Sequence, residues 1–387
     1  MARDKGVTAR RPRAEPGAGA AEAGRRSQPD NQDRAAPRGT RRPILRQAQD
    51  RLDEQGSRPR HRSEGPGRPT SAPRGVGRFR PARPPVVSVV VEPLIAAPTC
   101  AGFPEAEGLR LGPAAILAQL ARLGEVEGHA APAADLCRPD LGDGGVAAVT
   151  AAVREAAACA AAAGRAPVVV GGDHTVALGG IAGVREGVAR REGRPVPLFV
   201  LWLDAHADVN TDETSPTGHL HGMALAGVLG AGPLALAEPL PAEQVALAGV
   251  RALDPGELAF LQARPELAMW DVQALRGRGW MGPAAALLRR VAAAGGRLYV
   301  SVDLDVLDPA VAPGVAVPER HGARPAPVLA LLRRLRGSGL LAGADVVELY
   351  PPADADDRTA RLAARALEAL GAVAARRRAR RPRPRAA

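Results

Sequence analysis

At 387 residues the chain has room for one large α/β domain or two ordinary ones, and its net charge of +11 is carried at its ends. Residues 1–85 hold 21 basic and 9 acidic residues and 371–387 hold 7 arginines and no acid, whereas 86–370 hold 24 basic and 32 acidic residues. An acidic body between basic tails suits a cationic small molecule and metal ions and argues against nucleic acid as its partner.

Residues 1–84 are rich in Arg, Pro, Gly, Ser and Gln and show no sustained apolar period, so they read as a disordered basic extension. A gene start assigned too far upstream accounts for the same composition. From residue 85 the texture changes, and a catalytic domain is expected over 85–375, with a basic tail at 376–387. Val86 to Val91 reads as a buried strand, and Gly112-Pro113 opens a helix. Residues 146–163 read as an Ala-rich helix with Cys159 in its buried face, interrupted as a membrane span by Arg154 and Glu155. Residues 167–170 read as a strand running into Gly171-Gly172-Asp173-His174, then a helix to about Arg191. Strands over 197–204, 244–250, 297–303 and 344–349 follow, with helices near 222–229, 256–263, 283–294, 325–336 and 357–375.

Strands alternating with helices predict an α/β fold with a central, mostly parallel sheet covered on both faces. Three cysteines at Cys100, Cys137 and Cys159 form neither a metal motif nor a disulfide framework. With no apolar leader and no membrane span, the expected setting is the cytoplasm.

The chemistry gathers at strand ends. The run over 201–208 ends in Asp204, His206 and Asp208, and the run over 298–305 ends in Asp303 and Asp305. Alternation in an extended strand sends each of these sets to one side. Clustered carboxylates repel one another and are costly to desolvate unless something positive sits between them. With His174 after a third strand, the set suits two divalent cations, and its oxygen-rich donors suit Mn²⁺ better than a thiolate-seeking metal.

Four motifs in order, Gly171-Gly172-Asp173-His174, Asp204-Ala205-His206-Ala207-Asp208, Asp303-Leu304-Asp305 and Val346-Val347-Glu348-Leu349, resemble those of the ureohydrolase family. That family comprises arginases, agmatinases and formimidoylglutamases. The resemblance spans roughly residues 86–372 and implies a three-layer α/β/α arginase-like fold with two Mn²⁺ per subunit. It implies that His174 and Asp208 hold one ion, His206 and Asp305 the other, and that Asp204 and Asp303 bridge both. It also implies that Asp208 relays a proton, His221 shuttles protons with solvent, and Glu348 pairs with a guanidinium. The loop Asn210 to Gly218 resembles the arginase loop, which gives Asn210, Ser215 and Thr217 to a substrate carboxylate and Asp254 to an amino group. The expected reaction is hydrolysis of L-arginine to urea and L-ornithine by a homo-oligomer, a trimer or a hexamer.

The substrate shell departs from the arginase pattern. Ala316-Val317-Pro318 stands where Gly-Thr-Pro is usual, and Glu319-Arg320-His321-Gly322 replaces a glycine pair. His219 replaces an Asn and Ala252 an Asp. Two further readings follow: the same chemistry on agmatine, guanidinobutyrate or formimidoylglutamate, or a catalytically weak member acting as a binding or regulatory protein.

Overall fold

The computed structural model describes residues 93–127, 136–139, 144–270, 272–273 and 279–372. The basic extension expected over 1–84, the strand expected over 86–91 and the tail at 376–387 lie outside them. Among the described residues eight strands form one sheet: β1 (Leu94–Ala97), β2 (Leu136–Cys137), β3 (Val168–Gly171), β4 (Leu198–Leu203), β5 (Val245–Ala248), β6 (Ala268–Trp270), β7 (Arg297–Asp303) and β8 (Leu341–Val347). Their order is β2-β1-β3-β8-β7-β4-β5-β6, and every pairing between them is parallel.

Eight α-helices cover the described part of the sheet: α1 (Gly112–Glu127), α2 (Gly145–Ala162), α3 (Val176–Glu192), α4 (Ala224–Val228), α5 (Pro255–Gln262), α6 (Met281–Ala293), α7 (Pro325–Arg336) and α8 (Arg358–Leu370). Strand β4 shows why the inner strands read as unbroken apolar runs. Leu201 and Leu203 join the core shared with α1, α6, α7 and α8, while Val200 and Trp202 join the core beneath α2 and α3. All six of its residues are buried, as both faces of a parallel sheet must be.

The expected elements differ from the observed ones where the pattern is short. Strand β1 is two alanines and two larger residues hemmed by Pro93 and Pro98, so it lacks a β-branched run. Strands β2 and β6 have two and three residues, too few to show a period. The helix expected near 222–229 is a 3-10 turn, Leu220–Met223, leading into the five-residue α4. Cys159 is exposed rather than buried, because Ala157, Ala158, Ala160 and Ala161 turn the buried side of α2 toward α3 and the sheet. By length and composition alone α2 is apolar enough to cross a membrane, a test that core helices also pass.

Four neighbouring strands, β3, β8, β7 and β4, end beside one another. His174, Glu348, Asp303 and Asp204 follow or close those four strands, at the carboxyl edge where open α/β sheets bind ligands.

Candidate metal centre

The approach to His174 depends on glycine. A Cβ on Gly172 would lie 1.8 Å from the Thr99 carbonyl oxygen, so no other residue fits between β3 and the loop after β1. The Asp173 carboxylate then accepts the Gly102 and Thr175 amides, each at 3.0 Å, which fixes the turn that presents His174.

His174 is fully buried, with its ring stacked on Trp202 at 4.1 Å between centroids. Its Nδ1 faces Asp208 Oδ2 at 3.0 Å and Asp204 and Asp303 Oδ2 at 3.3 Å each. That nitrogen has no hydrogen-bond partner of acceptable geometry. On the other side, Nε2 lies 2.8 Å from Ser301 Oγ, and Ser301 donates to Asp345 Oδ1 at 2.6 Å. A serine has one proton to give, and Asp345 takes it, so Ser301 accepts from His174 Nε2–H. Nδ1 is therefore the nitrogen turned toward a space ringed by carboxylates, an arrangement that a cation satisfies.

A second group adjoins the first. His206 Nδ1 lies 2.8 Å from Asp305 Oδ2 and 3.5 Å from Asp204 Oδ1. Ligand atoms of His174, Asp204 and Asp208 cluster within 4.8 Å, as do those of Asp204, His206 and Asp305, so Asp204 belongs to both groups. Backbone amides hold the carboxylates in place: His206 N donates to Asp204 at 2.6 Å, Ala205 N to Asp305 at 2.9 Å and Asp305 N to Asp303 at 2.7 Å. Trp202 Nε1 adds a bond to Asp204 Oδ2 at 3.0 Å.

Protons must balance this charge when no cation does. Burial raises Asp303 and Asp305, and repulsion between neighbouring carboxylates raises them further. Burial and Asp204 push Asp208 up to about 6. Burial opposes charge on His174 and His206, but the surrounding carboxylates win and raise both. Asp204, pinned between the two imidazoles, is instead lowered despite its burial. Asp208 and Glu348 both carry positive φ, +52° and +65°, a conformation costly for a non-glycine residue and held here by Ala226 N to Asp208 O and Glu348 N to Gly172 O.

Glu348 Oε1 accepts the His174 amide at 2.8 Å and stands 3.1 Å from His221 Nδ1. Burial works against the His221 imidazolium, but Glu348 and the more distant Asp208 and Asp173 raise it. Phe103 stacks on His221 at 4.5 Å and meets His219 in a tilted contact at 4.3 Å, and His219 pairs with Glu105 at 3.3 Å. Glu348, His221 and His219 border a cavity of about 180 Å³ that reaches from Asp303 and Glu348 to Asn210, Ser215, Thr217 and Asp254. Val317 lines it too.

At the far end, Ser215 Oγ accepts from Gly218 N and Thr217 Oγ1 from His219 N, which leaves each hydroxyl proton free. Asn210 Nδ2 donates to Asp254 Oδ2 at 2.6 Å, and Asp254 Oδ1 caps α5 by accepting Glu257 N. Asp254 is thus first a helix cap, with the reciprocal Glu257 carboxylate closing a capping box. Glu257 also lines the cavity, a role its sequence did not announce because Asp-x-x-Glu before a helix reads fully as a cap. Ser301 and Asp345 were hidden in the same way, as alternate polar positions inside apolar strands.

A sequence model of the arginase family matches residues 93–372. The chain belongs to the arginase family. An arginase of Agrobacterium fabrum is 38% identical over 200 residues, which is 51% of this chain and 60% of that protein's length. The chain thus matches less than two thirds of that relative. In three dimensions the likeness is longer: the crystal structure of arginase from Bacillus subtilis has a TM-score of 0.63 at 28% identity, covering 72% of this chain and 97% of that one. A hypothetical agmatinase from Burkholderia thailandensis has a TM-score of 0.55 at 25% identity, covering 72% and 83%. Solved structures named for arginase and for agmatinase therefore share this fold.

Proposed function

We propose that this member of the arginase family is a hydrolase of linear amidines that holds two Mn²⁺ ions and cleaves L-arginine to urea and L-ornithine. The observation that carries the metal reading is the buried, unpartnered Nδ1 of His174 among three carboxylates. His174 and Asp208 would hold one ion and His206 and Asp305 the other, with Asp204 and Asp303 shared. Four carboxylates match the charge of two divalent ions, which neutral imidazoles then complete. Bound there, the ions would supply Lewis-acid activation of a water molecule near neutral pH.

The chain's own groups do the rest. Glu348, its carboxylate fixed by the His174 amide, pairs with the guanidinium and aligns its carbon with the metal-ligand cluster. Asp208 takes a proton and passes it to the departing amine. His221 exchanges protons between this site and solvent. The free hydroxyls of Ser215 and Thr217, with Asn210, favour a substrate carboxylate at the other end of the cavity, and Asp254 and Glu257 favour an amino group. A free amino acid bearing a guanidinium has all three. We further read residues 85–375 as the catalytic domain of a cytoplasmic homo-oligomer.

Urea release from L-arginine, agmatine and guanidinobutyrate, with formimidoylglutamate assayed by substrate loss, tests this with Mn²⁺-loaded protein. L-arginine should give the highest kcat/KM. Turnover of agmatine with none of L-arginine would overturn the substrate assignment and leave the metal reading standing.

A further inference from the structure

We infer that Arg251 is a positioning residue that sets the distance between the metal-ligand loop after β7 and the substrate loop at 316–322; its effect on metal binding rests on the two-cation reading above. Its guanidinium is half-buried, and every hydrogen bond it makes is to a backbone carbonyl. Nη2 donates to Asp305 O at 2.5 Å, Glu319 O at 2.8 Å and Leu307 O at 3.3 Å, and Nε donates to Arg320 O at 3.0 Å. Nη1 reaches Gly249 and Val306 at 3.3 and 3.4 Å. The first loop carries the ligand Asp305, and the second carries Val317 at the cavity wall. One planar cation therefore joins two segments that share no strand.

Its own backbone ties in a third loop. Arg251 N and Ala252 N both donate to Ala205 O, at 2.8 and 3.0 Å, between Asp204 and His206. The close approach is possible because Gly249, at φ +104°, passes where a Cβ would meet Asp204 O at 2.9 Å and Val306 at 2.6 Å. Arginine suits the task for a geometric reason. Five N–H groups in a rigid plane can serve carbonyls on both sides at once, whereas a lysine ammonium has three donors at one point. The two loops also bond to each other directly: Asp308 N to Ala323 O, Ala323 N to Val306 O and Gly322 N to Asp308 Oδ2. Those bonds report whether the loops keep their spacing.

The test compares the full-length parent with Arg251→Lys by hydrogen exchange, alongside Mn²⁺ titration by calorimetry. Exchange over 304–308 and 319–323 should rise about ten-fold or more, with β1, β3 and α1 to α3 unchanged. The weaker of the two Mn²⁺ affinities should fall by about 10–100-fold, the range for losing support behind a ligand. A change of less than two-fold in both segments would overturn the inference. So would a uniform rise across the chain, which marks general destabilisation. If the parent itself binds no Mn²⁺, the metal reading fails, while exchange still decides the role of Arg251.

Discussion

Ser301 and Asp345 face each other across the β7–β8 pair, Oγ to Oδ1 at 2.6 Å, and His174 leans on the serine from above. The carboxylate therefore acts on His174 through one hydroxyl, keeping the proton on Nε2 and the lone pair on Nδ1. Removing the link by Ser301→Ala leaves a buried N–H without a partner, which costs about 1–3 kcal/mol. It also frees the ring to flip. Mn²⁺ affinity should fall by about 10–100-fold, measured by equilibrium dialysis with metal analysis, with the far-ultraviolet circular dichroism unchanged. Unaltered affinity would remove this chain from the account of the site.

Protons and cations compete for the same cluster. His174, His206, Asp303 and Asp305 are all raised without a cation, so ions that bind must displace protons. Mn²⁺ affinity should therefore tighten as pH rises from about 6 to 8. Calorimetry in buffers of different ionisation enthalpy should show net proton release per ion. Affinity independent of pH, with no proton release, would contradict the arrangement.

His221 sits 3.1 Å from Glu348 and outside the ligand groups, so its loss should separate catalysis from metal binding. His221→Asn should lower kcat by about 10²–10⁴-fold, the usual contribution of a general acid or base. Mn²⁺ stoichiometry should remain that of the parent, and added imidazole should restore part of the rate. A loss of bound metal in this variant would show that His221 belongs to the ligand set instead.

Glu257 gives a prediction about stability. Burial first, then Asp254 and Asp208, raise its carboxyl to about 7 from 4.5. A carboxyl raised by folding holds its proton in the native state after the unfolded chain has lost it. Its contribution is fully present below about pH 4.5 and is lost as pH rises to about 7, amounting to about 3 kcal/mol. Glu257→Gln stays neutral throughout. In chelator-treated protein the stability difference between variant and parent, from urea unfolding, should shift in the variant's favour across that window. A difference that does not change with pH would refute the assignment.

The clustered carboxylates and imidazoles were legible because each motif follows an apolar strand, but alternation does not place them: β4 ends at Leu203, Asp208 has φ +52° and Asp305 lies in a 3-10 turn. The sheet was legible where strands are long and buried on both faces, as at β4 and β7. Strand β1 was not, since Leu94–Ala97 has no β-branched run, and neither were β2 and β6. Within the site, the supports were hidden. Arg251 acts entirely through backbone carbonyls of other loops, and a local sequence pattern carries no trace of such contacts. Glu257 and Asp254 were masked by a capping box that explains both without a ligand.

Val317 is the sharpest departure in the cavity wall. It is 37% exposed and lines the cavity with Pro216, Val315 and Ala316 among its carboxylates, imidazoles and hydroxyls. The neighbouring backbone is held independently of it, since Val315 bridges Leu349 beside Glu348. Thr differs from Val by one hydroxyl in place of a methyl, so the swap changes hydrogen bonding with little change in shape. A hydroxyl here adds a partner for the charged guanidinium or for Glu348, and bonds to charged groups contribute about 1.5–3 kcal/mol. Val317→Thr should therefore raise kcat/KM for L-arginine about ten-fold or more and leave Mn²⁺ affinity unchanged. An equal or lower kcat/KM, with a gain on a guanidino compound bearing an apolar substituent in the parent, would mean that the methyl is itself a substrate contact.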